Sequence, residues 1–300
     1  MKIDTHQHFW RYRAEAFPWI SAAMPALQRD CLPDDVAPAM QAAGVTGGVA
    51  VQARCDADET DFLLDLADHH PQIRGVVGWA DLAAPGLAEQ LAQWSAHPAF
   101  KGLRHILQDE ADVPGWVARP DINHGLAAVQ QAGLVYDVLV FDYQLADVVG
   151  LCARHSAHWL VLDHVGKPAV RHWGGNAEVA DRWRQGILAL AAMPHVMCKL
   201  SGLVTEADWA GHAGISAPDA TTMLACFDFA LEAFGPQRLM YGSDWPVCQL
   251  SAPYADVFGL ADPWAQSRLS SIEQAAFWAG NAQRCYGLPT RAADASFLTL

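Results

Sequence analysis

Basic residues are scarce in this chain: 19 Lys and Arg stand against 33 Asp and Glu, for a formal net charge of −14. The few cations nowhere cluster, so the electrostatic footprint that nucleic acid or an anionic membrane requires is missing. Long apolar runs are absent too. None approaches the roughly 18 residues of a membrane span, and the residues behind Met1 (Lys2, Ile3, Asp4, Thr5, His6) form no secretory apolar segment. The 7 cysteines are scattered, with no Cys-x-x-Cys, which excludes a zinc knuckle and argues against a disulfide framework. Most of them read as small buried hydrophobes. A Gly-x-Gly-x-x-Gly element follows no strand-like segment, which disfavours an open dinucleotide-binding sheet. The expectation is a cytoplasmic protein with neither a nucleic-acid nor a membrane partner. Its 52% hydrophobic content and 12 tryptophans provide for a large core.

What is present is a succession of short, β-branched apolar segments. They are KIDTHQH (2–8), GGVAVQA (47–53), RGVVGWA (74–80), KGLRHIL (101–107), LVYDVLV (134–140), HWLVLDH (158–164), HVMCKLS (195–201) and RLMYGSD (238–244). More than the dozen or so residues of a parallel crossover separate each from the next. Amphipathic stretches such as 57–70, 122–133 and 179–193 lie between them, and Gly44, Gly133 and Gly235 stand where helices should end. Eight alternating units point to an α/β fold, a (β/α)8 barrel occupying residues 1–300 as a single domain.

Such barrels carry their chemistry at the C-terminal ends of the strands. His6 and His8 lie two apart, so a strand turns both imidazoles to one face, about 7 Å apart at the backbone. They form a ligand pair, an acid–base pair, or a coincidence. Asp4 lies deeper on the same face as a candidate partner. Strand two ends in Gln52, and strand four in Arg104 and His105, which alternate, so one of them faces the helix layer. Strand five carries Asp137. Strand six ends in Asp163, His164 and Lys167, strand seven in Lys199 and Ser201, strand eight in Ser243, Asp244 and Trp245. Ionisable groups in apolar strands are costly to bury unless paired or used. Arg104 and Lys199 either serve a reaction or bridge neighbouring carboxylates. His69, His70, His97, His155 and His172 fall away from the strand ends and read as surface residues.

The segments IDTHQHFW, LDHVGKP, CKLSGLVTEADW and YGSDWPVC, in this order and followed by AGNAQRCYGL, resemble the amidohydrolase superfamily. Within it they are most similar to the branch of sugar lactonases acting on L-fuconolactone and L-rhamnonolactone, related to pyrone-dicarboxylate lactonases. The resemblance implies hydrolysis of a small-molecule sugar lactone to its aldonic acid, with His6 and His8 as the strand-one pair, His164 on strand six and Asp244 activating water. Two-metal members place a bridging lysine or glutamate on strand four and a histidine on strand five. Arg104/His105 and Asp137 stand there instead. At most one divalent ion is therefore implied, zinc on His6, His8, His164 and Asp244, and dispensable for opening a lactone. Lys199 and Arg104 would assist Asp244 and His164 in catalysis. Arg11, Gln52, His105, Asp137, Trp209 and Trp245 would bind substrate, with Glu206, Asp208 and His212 in the loop after strand seven. Phe9, Trp10 and Trp19 either face the sugar or plug the barrel mouth. The competing expectations are a zinc-dependent decarboxylase of the same superfamily and a non-catalytic sugar-binding barrel.

Overall fold

The computed structural model describes residues 1–173, 176–209 and 214–290, so His212 and residues 291–300 of the tail lie outside the described residues. Eight parallel strands pair in chain order: β1 Ile3–Gln7, β2 Gly47–Val51, β3 Ile73–Gly78, β4 Phe100–His105, β5 Val135–Val138, β6 Leu160–Leu162, β7 Val196–Leu200 and β8 Leu239–Tyr241. The circle closes where β1 meets the segment after β8. There the His8 N–H donates to the Trp245 carbonyl at 2.7 Å, and the Asp244 N–H to the His6 carbonyl at 2.9 Å. The (β/α)8 expectation is met.

Strands such as β2 and β6 are buried throughout, as parallel strands covered on both faces must be. The covering helices follow their apolar spacing. Helix Ala177–Ala191 turns Ala180, Trp183, Ile187 and Leu190 inward, and the Asn176 side chain caps it by accepting from the Val179 N–H. Helix Pro33–Ala43 opens on a proline and ends at Gly44, whose φ of 69° is the left-handed turn that a residue lacking Cβ takes cheaply. No described helix is long and apolar enough to cross a membrane. Of the histidines expected at the surface, His155 is instead buried, with Nε2 2.9 Å from Asn123 Oδ1.

Several strands are shorter than the apolar runs that predict them. β6 stops at Leu162 and β8 at Tyr241. His164 (φ 54°) and Asp244 (φ 60°) take left-handed backbone conformations, which no strand ladder continues through. Inside the barrel, residues two apart stack in layers. Val135, Val161 and Met197 belong to an apolar layer, closed from below by Ala282, Cys285, Tyr286 and Leu288 of the C-terminal segment. Two residues further along the chain come Asp137 of β5, Lys199 of β7 and, just past the end of β6, Asp163, a charged layer beneath the barrel mouth.

Candidate active site

A cavity of about 360 Å³ opens at the C-terminal end of the barrel. His8, Arg104, His164 and Asp244 line it, together with apolar and aromatic walls that include Trp19, Leu139, Phe141 and Trp209. A further polar group on its lining is formed by Gln108, Lys167, Arg171 and Glu206.

Period-two alternation does bring the first histidine pair together: His6 Nε2 and His8 Nε2 are 3.2 Å apart. His8 Nδ1 lies 2.8 Å from the Val51 carbonyl, which can only accept, so Nδ1 carries the hydrogen and the Nε2 lone pair faces the cluster. Arg104 Nη1 can only donate and stands 3.1 Å from His6 Nε2, so that nitrogen also presents a lone pair. His164 joins through its left-handed backbone, with Nδ1 2.9 Å from Ser201 Oγ. Its ring packs on Gly202, where an added Cβ would come within 2.3 Å of Nδ1. Asp244 Oδ1 lies 3.3 Å from His8 Nε2, 3.8 Å from His6 Nε2 and 4.0 Å from His164 Nε2. Asp4 meets neither imidazole. It accepts from the backbone N–H groups of His6 (3.2 Å) and Ser243 (2.8 Å), tying β1 to the loop that carries Asp244.

Burial drives the imidazole of His6 well below its ordinary pKa and that of His164 down to about 4, so both are neutral at pH 7. For Asp244 burial disfavours ionisation. Once the neighbouring imidazoles take up protons in acid, their attraction, that of His164 foremost, outweighs this cost and holds the carboxyl below the usual carboxylate range. An ionised carboxylate thus faces imidazole lone pairs on the cavity floor.

Tetrahedral ligands roughly 2.0–2.2 Å from a zinc-sized ion stand about 3.3–3.6 Å from one another. The donor atoms of His6, His8 and Asp244 are separated by 3.2, 3.3 and 3.8 Å, so these residues fit one divalent ion once Arg104 Nη1 releases His6 Nε2. His6, Asp163 and His164 form a second cluster of donors. There, however, Asp163 Oδ1 is 3.0 Å from Lys199 Nζ and Oδ2 is 3.0 Å from Arg104 Nη1, so protein cations already hold both oxygens. Elemental analysis of the purified protein should therefore find no more than one tightly held divalent ion per chain. Two would mean that Lys199 or Arg104 leaves Asp163.

The other expected site residues divide sharply. Arg104 lines the cavity and Trp209 is in its wall. Gln52 is fully buried and acts on Arg104, whose Nη2 donates to the Gln52 side-chain oxygen at 3.1 Å and to its carbonyl. Lys199 and Asp137 are also fully buried and line no part of the cavity. Lys199 Nζ is 2.5 Å from Asp137 Oδ2 and 3.2 Å from His6 Nδ1, and the Tyr286 hydroxyl donates to Asp137 Oδ1 at 3.0 Å. Their place one layer down makes them supports of His6 and Asp163 rather than substrate contacts. His105 is the member of its pair that faces the helix layer, accepting from Trp79 Nε1 at 3.1 Å, with Nε2 2.8 Å from Glu110. Trp245 is buried against Phe9, and Arg11 lines a separate crevice beside Phe9 and Trp10. Of Phe9, Trp10 and Trp19, the first two are buried and only Trp19 lines the cavity. Lys167 was expected only as an ionisable group at the end of strand six, without a role, and Arg171 was not singled out.

Residues 3–288 match the family model described as Amidohydrolase. The chain is 55% identical over 289 residues to an L-fucono-1,5-lactonase of Burkholderia multivorans, covering 96% of this chain and 97% of that one. It is 32% identical to an L-fucono-1,5-lactonase of Burkholderia ambifaria, over 98% of both chains. A crystal structure of an amidohydrolase from Burkholderia multivorans with bound zinc matches with a TM-score of 0.92 at 55% identity, covering 96% of this chain and all of that one. With the fold and the histidine–aspartate cluster in agreement, this chain belongs to the amidohydrolase family.

Proposed function

We propose that this protein hydrolyses a sugar lactone of the L-fucono-1,5-lactone kind to the aldonic acid, with Asp244 activating the attacking water. The observation that carries the reading is an ionised Asp244 at the cavity floor, 3.3 Å from His8 and beside neutral His164, in a chain 55% identical to an L-fucono-1,5-lactonase. Asp244 takes a proton from water as it attacks the ring carbonyl. Positive charge fixed near the nascent oxyanion lowers the barrier. Arg104 supplies such charge, held rigid by Asp163 and Gln52. The proton held on Asp244 then passes to the ring oxygen as the C–O bond breaks. A divalent ion on His6, His8 and Asp244, zinc by this donor set and by the zinc-bound relative, would polarise the carbonyl and acidify water.

A lactone suits this site better than an amide. Its leaving group is an alkoxide flanked by hydroxyls, whereas an amide nitrogen must be protonated before it departs. Comparing kcat/KM across L- and D-aldonolactones, dihydroorotate, N-acyl amino acids and aromatic carboxylic acids tests the proposal. A six-carbon or deoxy-sugar aldonolactone should lead. An amide ahead of every lactone, or carbon dioxide released from an aromatic acid, would sink it.

A further inference from the structure

The backbone singles out a residue that the proposed chemistry leaves unused. Among the described residues, four non-glycines have left-handed backbone: His164, Val165, Lys167 and Asp244. Such a conformation is costly for a side chain with a Cβ and persists only where the surroundings enforce it. His164 and Asp244 belong to the cluster on the cavity floor. Lys167 shares both the strained backbone and the cavity, and its N–H donates to the His164 carbonyl at 2.8 Å, yet its side chain hydrogen-bonds to neither His164 nor Asp244.

Its ammonium is aimed by three partners. Nζ donates to Gln108 Oε1 at 3.1 Å, lies 3.2 Å from Glu206 Oε1, and stands 4.6 Å from the centre of the Phe141 ring. Glu206 comes from the short helical turn Leu203–Glu206 after β7. Arg171 braces that turn, donating to the carbonyls of Thr205 at 3.1 Å and Glu206 at 3.2 Å. The Lys167 and Glu206 side chains are 15% and 12% exposed, shielded from bulk solvent yet open to the cavity. Among the described residues, Glu206 Oε2 has no hydrogen-bond partner.

We infer that Lys167 and Glu206 are the specificity-determining pair that reads neighbouring hydroxyls of the lactone ring, an inference that rests on the lactonase reading above. A hydroxyl both donates and accepts, an ammonium only donates, and a carboxylate only accepts. Side by side, the two charges match a hydroxyl pair of one relative configuration: one oxygen accepts from Lys167 Nζ, and the other donates its hydrogen to Glu206. The Phe141 face and the apolar wall meet the C–H surface of the ring. A lactone without hydroxyls leaves the ion pair with no ligand to satisfy, so the pair favours hydroxylated rings and contributes nothing to a plain one.

Steady-state kinetics on the whole protein test this, comparing the wild type with Lys167→Met and Glu206→Gln. The substrates are a polyhydroxylated aldonolactone and an unsubstituted six-membered lactone. On the aldonolactone, kcat/KM should fall roughly 10- to 100-fold in each variant, mainly through KM, because each change removes one charged hydrogen-bond partner. On the unsubstituted lactone the change should stay within about threefold. An equal loss on both substrates would assign the pair to the chemistry or to general integrity and overturn the inference. So would no loss on either. If the wild type opened no lactone at all, the parent reading would fall, and the inference with it.

Discussion

Asp244→Asn is expected to lower kcat at least roughly 10²-fold, the usual consequence of removing a general base. The substitution keeps the size of the side chain. Asparagine also tolerates left-handed backbone better than most residues, so the φ of 60° at this position adds no new strain. An alanine there would confound lost chemistry with a displaced loop, since the Asp244 N–H carries one of the bonds that close the barrel onto His6. What disappears is an ionised carboxylate facing His164, His8 and His6. Activity within a few-fold of wild type, with an unchanged unfolding midpoint, would move the base elsewhere. Measuring the metal content of the variant separates loss of the base from loss of a ligand. A full complement of metal with low kcat assigns the effect to proton transfer.

Lys199→Met is expected to remove about 3–5 kcal/mol of stability, a large share of the roughly 5–15 kcal/mol available to a typical domain. Two carboxylates, Asp137 and Asp163, and two cations, Lys199 and Arg104, share the charged layer inside the barrel. Deleting one cation leaves a buried negative charge with no water to solvate it. Adding Asp137→Asn to Lys199→Met should recover part of the loss, because the excess charge goes with it. The penalty should also depend on pH. Burial already raises Asp137 from its ordinary 3.8 to about 6 with Lys199 present. A carboxyl whose folded pKa is raised stabilises the fold below its unfolded pKa, and that contribution is lost as pH rises through the folded value. Removing Lys199 takes away an attraction that lowers this value, so in the variant the folded pKa lies higher still; the variant should be weakest at alkaline pH and improve as pH falls toward 4. Urea unfolding at several pH values measures this. A loss below about 1 kcal/mol at pH 8 would show that the ammonium is not what keeps these carboxylates buried.

By itself the sequence determined the eightfold alternation, the pairing of His6 with His8, and the presence of Asp244 at the last strand end. Each of these is a local property. A period of two puts His6 and His8 on one face whatever surrounds them, and β-branched runs separated by amphipathic stretches have few other ways to bury their apolar surface. Alternation also showed that Arg104 and His105 must part. Only the closed barrel decided which of them points inward, because inside and outside exist only once β8 has met β1. Depth was equally out of reach. Lys199 and Asp137 read as strand-end groups, yet they lie a layer below the cavity, because the register of neighbouring strands sets height along the barrel axis, and register is a long-range quantity. The left-handed residues that end β6 and β8 carry no mark in their side chains, since their conformation is enforced by packing. The meeting of Lys167 with Glu206 across the cavity wall is tertiary as well: each sits on a different βα loop, and only the folding of β6 beside β7 brings the two charges within 3.2 Å.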